Sequence, residues 1–338
     1  MNALPDWLQP GCDQLRQMIQ QDRLPHALLI CGAEGLGKRM LADWLAGALL
    51  CEQSHEGVSA CGQCSACGWF DNGAHPDFIE LQPEEAGKAI KVDQVRKLGA
   101  SLGMTSHSGG YKIAIVQPAD AMNVNAANSL LKTLEEPTDN TLLILLTAVP
   151  GRLPATIRSR CQRIDIEQPS ASTAKTWLRQ QQLEEAVATR CLVMSGGAPF
   201  RALALAGSDS LEQRDDCLDE LMAIYSGKRD PLKAAERWAR DVDTQRNVMQ
   251  WWQQWVNSLI RWQQTGLAEP ETEVAHKLQQ IVEKVDCRKL FMLSEQLARA
   301  VPGLASGLNR QLLLEDLLID WAAMSIMKPA GQNRPTRR

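Results

Sequence analysis

Four cysteines, Cys51, Cys61, Cys64 and Cys67, form a C-x9-C-x2-C-x2-C pattern. Each two-residue spacer turns consecutive sulfurs toward one point, and four thiolates around a point make the closed tetrahedral site of structural zinc. An iron–sulfur cluster can also use C-x2-C-x2-C. The ferredoxin run, however, ends in a further Cys followed by Pro, whereas Gly68-Trp69 follows here. The spacing predicts zinc, with a cluster or reduced free thiols as the alternatives. His55 and His75 are nearby spare ligands, but read more simply as ordinary loop histidines.

A second constellation is Gly32-Ala33-Glu34-Gly35-Leu36-Gly37-Lys38-Arg39, which follows an apolar run and precedes a helical pattern, Met40 to Leu50. Strand, glycine loop and helix are the context of a P-loop. Gly32, Gly35 and Gly37 let backbone N–H groups wrap around phosphates, and Lys38 can reach the β and γ phosphates. The residue after that lysine should be Ser or Thr, whose hydroxyl ligates Mg²⁺, and here it is Arg39. The strand Ile113 to Val116 should end in an acidic pair for magnesium and water activation, yet Gln117 and Pro118 stand there, and Asp120 lies three residues beyond. The loop reads as a P-loop by descent, vestigial for chemistry, with nucleotide binding left open. A third feature is Thr156-Ile157-Arg158-Ser159-Arg160-Cys161. Taken alone, its arginine pair is an ordinary solvated surface charge.

These residues need a scaffold. His26 to Cys31, Asp77 to Leu81, Lys112 to Val116, Leu142 to Val149 and Arg163 to Ile166 read as strands, several apolar throughout, as strands of a parallel sheet covered on both faces should be. Helices connect them. In Asn125 to Glu136, Ala127, Leu130, Leu131 and Leu134 follow the i, i+3, i+4, i+7 spacing, and Pro137 stops the run. After Gln168-Pro169 the strand signal ends. Ser170 to Ala206 reads as short helices broken at Gly196-Gly197-Ala198-Pro199, and long amphipathic patterns follow from Ser208. The spacing of Trp238, Trp251, Trp252, Trp255, Leu259 and Trp262 suits helix core or a subunit interface better than a base-stacking platform.

The expected layout is an α/β P-loop core over 1–168 carrying the cysteine insert (51–67), a small helical lid over 169–207, an all-α domain over 208–327 and a basic flexible tail over 328–338. The 338 residues carry a net charge of −4, which argues against a protein that grips nucleic acid alone, since such binding draws on clustered Lys and Arg. No apolar run approaches the roughly 20 residues of a membrane helix, and the start has no basic n-region, so a cytoplasmic address without membrane contact is expected. The other six of the ten cysteines are scattered and read as small buried hydrophobes, as at Cys31, Cys191 and Cys217.

Together the degenerate P-loop, the four-cysteine insert, Asn128-Ser129-Leu130-Leu131-Lys132-Thr133-Leu134-Glu135-Glu136-Pro137 and Ser159-Arg160-Cys161 resemble the AAA+ subunits of the bacterial DNA polymerase III clamp loader. The gamma/tau motor branch keeps the Thr after the P-loop lysine and an acidic pair on the third strand, both missing here. His75-Pro76-Asp77-Phe78, and Gly307-Leu308-Asn309-Arg310 with Leu312 to Leu318, resemble the delta-prime branch instead. The resemblance implies an AAA+ core, a lid and a helical collar joining gamma/tau and delta in a hetero-pentameric ring, which acts on a sliding clamp and primed DNA as part of a DNA polymerase holoenzyme. It also implies that Arg160 is an arginine finger acting on ATP held by the adjacent subunit, with no independent catalysis here. Thr147 matches a polar sensor position, and Arg201 sits near where a second sensor arginine is expected. Two rival readings are an autonomous ATPase motor and a zinc-dependent DNA-binding module. Turnover by the isolated chain would favour the first, and salt-steep DNA affinity the second.

Overall fold

The computed structural model describes residues 4–54, 59–85, 87–268, 272–303 and 309–325; the basic tail, His55 and Gly307-Leu308 lie outside them. Five strands, β1 (Ala27–Cys31), β2 (Phe78–Leu81), β3 (Lys112–Val116), β4 (Thr141–Thr147) and β5 (Gln162–Asp165), form one sheet in the order β2-β3-β4-β1-β5, every pair parallel. The strands expected from sequence are all present, shifted by no more than two residues at either end.

The period-2 alternation of a strand sends successive side chains to opposite faces. Leu28, Ile30, Ile113, Ile115, Leu142, Ile144 and Ile164 point to one side and pack against α1 (Gln9–Gln20) and α2 (Lys38–Leu50) through Leu15, Leu41 and Leu45. Leu29, Cys31, Ala114, Val116, Leu143 and Leu145 point to the other. There they meet α4 (Val92–Leu102) and α5 (Val124–Glu135) through Val95, Leu98, Leu130 and Leu134, and α6 (Ala155–Arg158) through Ile157. Both faces being covered explains why these strands carry continuous apolar runs. Asn123 caps α5 by accepting the Ala126 N–H at 2.8 Å, which removes one of the helix's orphan donors. A short helix, α3 (Ser65–Asp71), follows the cysteine pattern, and α7 (Ala171–Gln180), α8 (Glu185–Met194) and α9 (Pro199–Ala206) follow the sheet.

By contact density the chain divides into residues 1–204 and 205–338. Residues 169–204, expected as a separate lid, cluster with the sheet in the first unit. The second unit is helical: α10 (Ser210–Tyr225), α11 (Pro231–Trp238), α12 (Val242–Thr265), α13 (Thr272–Val282), α14 (Cys287–Gly303) and α15 (Arg310–Ala323), with α12 packed along α14 and α11 along α15. Trp251, Trp252, Trp255 and Leu259 are buried in its core. Trp252 meets Trp321 edge-on at 5.9 Å, Trp321 Nε1 donates to the Leu221 carbonyl at 2.8 Å, and the guanidinium of buried Arg214 lies 5.1 Å from the Trp255 ring centroid. These tryptophans therefore do core work, and only Trp262 is half-buried. Among the described residues no helix is long and apolar enough to cross a membrane.

Candidate functional site

The glycine loop leaves the carboxyl end of β1, where the chain's next strand lies at the far edge of the sheet; such a reversal is where open α/β sheets place their ligands. Gly32 N–H donates to the Thr147 carbonyl at 3.3 Å, so the loop starts against the end of β4. Lys38 opens α2 and turns back over the loop, its Nζ donating to the Gly32 carbonyl at 2.6 Å and the Ala33 carbonyl at 2.8 Å. Burial lowers the lysine's pKa, against the opposing pull of Glu34 and Asp120. Thr147 is fully buried and donates its hydroxyl to Asp120 Oδ1 at 2.6 Å. Asp120, three residues past the expected acidic position in the sequence, thus sits beside both Thr147 and Lys38.

Arg39 occupies the place of the magnesium-binding hydroxyl and carries a cation of its own. Its Nε donates to Asp43 Oδ1 at 2.7 Å, and its two terminal nitrogens engage both oxygens of Glu80 on β2, one at 3.1 Å. Burial opposes the Arg39 charge, but the hydrogen bonds to Glu80 and Asp43 outweigh it and raise its pKa, while the same contact lowers that of Glu80. A cavity of about 770 Å³ opens here, lined by Lys38, Arg39, Trp44, Glu80, Gln117 and Phe200 among others. The buried Gln117 Oε1 has no hydrogen-bond partner. An amide at that position supplies no charge to hold a metal ion.

The loop also receives α9. Phe200 N–H donates to the Gly35 carbonyl at 3.0 Å, and Trp7 Nε1 to the Leu36 carbonyl at 2.9 Å. Trp7, Trp177 and Phe200 form an aromatic cluster with centroids 4.7 to 6.1 Å apart. Gly35 has φ +78°, and a Cβ there would lie 2.5 Å from the Arg201 Cβ; one at Gly37, φ +91°, would lie 2.6 Å from the Phe200 ring. Arg201 is therefore beside the loop, with its backbone and Cβ close to Gly35.

Arg160 stands apart from this group. It follows α6, donates through one terminal nitrogen to the Thr156 carbonyl at 3.0 Å, and pairs through the other with Glu135 Oε1 at 2.8 Å. The four cysteines form a third cluster, beginning at Cys51, the C-cap of α2. Their ligand atoms all lie within 4.8 Å of one another, with Cys51–Cys64 at 3.8 Å and Cys61–Cys67 at 3.9 Å. A tetrahedral ion with metal–sulfur bonds near 2.3 Å needs sulfurs about 3.8 Å apart, so the geometry fits a metal such as zinc. Backbone N–H groups of Gln63 and Cys64 point at Cys61 Sγ from 3.4 and 3.3 Å and bring its pKa down to about 6, toward the thiolate a metal requires. His75, offered as a spare ligand, is not in this cluster; its Nδ1 accepts the Asp77 N–H at 3.1 Å.

Sequence reasoning missed Glu80, Asp43, Glu135 and Phe200. All four act through contacts made by the fold. Asp43 left a signal, as an acid four residues after Arg39 on one helix, and Glu135 lay within the Asn128–Pro137 motif without its partner being legible.

A parallel sheet of this order, with a glycine loop after β1 and a helical segment seated on that loop, has the fold of an AAA+ P-loop protein. The family model described as DNA polymerase III, delta subunit, matches residues 9–170, and the one for its C-terminal part matches 208–323. DNA polymerase III subunit delta' of Pseudomonas aeruginosa is 36% identical over 328 residues, covering 94% of this chain and 97% of that one. The Escherichia coli delta' is 37% identical over 231 residues, 68% of this chain and 69% of its own. Subunit tau of Bacillus subtilis is 36% identical over 154 residues, 45% of this chain and 26% of its own. The chain belongs to the DNA polymerase III delta-prime family of clamp-loader subunits.

Proposed function

We propose that this chain is the non-hydrolysing stator of the clamp loader and that Arg160 serves as its arginine finger in trans. In this reading gamma/tau and delta complete a hetero-pentameric ring with it in the cytoplasm, and the ring opens the sliding clamp and places it on primed DNA using ATP held by the motor subunits. The core, lid and collar divide the chain near residues 168 and 207, and the cysteine cluster holds one structural zinc.

The observation that carries the reading is Arg39. Hydrolysis needs Mg²⁺ bridging the β and γ phosphates. At this loop a guanidinium already paired with Asp43 and Glu80 stands where the metal's hydroxyl ligand would be, and Gln117 replaces the acid. Chemistry then belongs to the neighbour, and a half-exposed arginine on a loop is suited to reach it. The test is a ring reconstituted with motor subunits and clamp. Arg160→Ala should leave assembly intact and slow ATP turnover at the adjoining site by about 10³-fold. Unchanged turnover would remove the assignment, and brisk hydrolysis by the isolated chain, lost in Lys38→Ala, would overturn the reading as a whole.

A further inference from the structure

The pairing of Arg160 with the last residue of α5 assigns a positioning role beyond the finger itself. We infer that Glu135 holds the Arg160 guanidinium in the orientation in which it meets a neighbouring subunit's phosphate; this rests on the trans-acting reading of Arg160.

Two acceptors on different elements hold the side chain. The Thr156 carbonyl, within α6, takes one terminal nitrogen at 3.0 Å, and Glu135 Oε1 takes the other at 2.8 Å. One contact would leave the planar fork free to swing about a single hydrogen bond. Two contacts on separate nitrogens fix its plane. A guanidinium has five N–H donors, so two engaged donors leave three for an incoming anion. Sequestration would look different. It would show both carboxylate oxygens engaged and the fork buried, whereas the Arg160 side chain keeps 37% exposure and uses one oxygen of Glu135.

Glu135 is itself held by its helix. Leu134, beside it, is buried against the sheet, its carbonyl lies 3.0 Å from His26 Nε2, and the Glu136 N–H closes the helix on the Lys132 carbonyl at 3.0 Å. The carboxylate therefore projects from a fixed helix end, and α5 also packs against α6. Sequence separation hides the arrangement, because the two residues are 25 apart and each lies in a separate motif.

An ion pair with this exposure favours one geometry by a factor of about two to five. Phosphate release should be followed in single turnover in reconstituted rings carrying wild-type chain, Arg160→Ala, Glu135→Ala or Glu135→Gln, with assembly checked by gel filtration. Arg160→Ala should strongly slow one phase. Glu135→Ala should slow that same phase about two- to fivefold with the ATP concentration for half-saturation unchanged, and Glu135→Gln, which keeps an acceptor but no charge, should fall between it and wild type. If Arg160→Ala slows the phase and Glu135→Ala does not, the positioning role is overturned and the finger stands. If Arg160→Ala changes nothing, the finger reading itself fails. Should Glu135→Ala not assemble, Glu135→Gln decides: a slowed phase supports the role and an unchanged phase overturns it.

Discussion

Asp77 shows how much a single carboxylate organises at the amino end of β2. It is 1% exposed and accepts hydrogen bonds from the Ser106 hydroxyl at 3.0 Å, the His107 N–H at 2.8 Å, and the Ser108 N–H and hydroxyl at 3.0 and 2.6 Å. It thereby ties the start of β2 to the loop before β3. Burial alone would raise its pKa, but these donors, Ser108 foremost, bring it down to about 2. A native value below the ordinary one near 3.8 stabilises the fold by about 2 kcal/mol. Because the folded value is the lower one, that stability is fully present above about pH 4 and is lost as the pH falls toward about 2. Asp77→Ala strands buried donors and should cost about 2–4 kcal/mol at pH 7. Urea unfolding at pH 7 and again near pH 3 checks it: the gap between wild type and variant should narrow in acid, and an equal gap at both would show that the charge contributes nothing.

At the scale of elements, the glycine loop and α9 form one unit of packing. Gly35 and Gly37 suit a phosphate cradle, yet in this fold their missing side chains also admit Arg201 and Phe200. Gly35→Ala would combine a left-handed backbone that costs about 1–2 kcal/mol with a clash costing about as much again. We expect a loss of about 2–4 kcal/mol in chemical denaturation, with no nucleotide present. A variant as stable as wild type would mean that α9 does not depend on this close approach. The example also marks what could be read in advance. The strands, α5 and its end at Pro137, the P-loop and the cysteine cluster declared themselves through periodicity and short spacings, which are local properties of the chain. Glu80 against Arg39 and Glu135 against Arg160 are separated by 41 and 25 residues, and only the sheet order and the α5–α6 contact bring them together. Asp120 lies three residues past the place of the expected acidic pair, and its contact with Thr147 was not legible along the chain, because the 3-10 turn Ala119–Ala121 makes it. The packing of the helices after residue 168 on the P-loop unit was equally hidden, because the aromatic cluster of Trp7, Trp177 and Phe200 that makes it joins distant segments.

Over the whole molecule, each of the two units closes an apolar core of its own, and the four-cysteine cluster belongs wholly to the first. Its effect on stability should be equally local. The cluster joins the end of α2 to α3, and α3 carries Phe70, whose ring meets Phe78 of β2 edge-on at 4.9 Å. A metal bound here would brace the edge of the sheet that carries Glu80, and its binding free energy would add to folding. Metal analysis should give near one zinc per chain, lost when any of Cys51, Cys61, Cys64 or Cys67 becomes Ser. Chelation at neutral pH should then lower the unfolding temperature of the first unit, reported by Trp7, Trp44, Trp69 and Trp177, by several degrees, taking about 1 kcal/mol as 2–4 °C for a unit of this size. The helical unit, carrying the other six tryptophans, should melt as before. Hydrogen exchange resolves the two by peptide. Protection lost from 60–85 and retained in 210–265 is the expected pattern, and equal loss in both regions would mean that the metal supports the chain as one cooperative body.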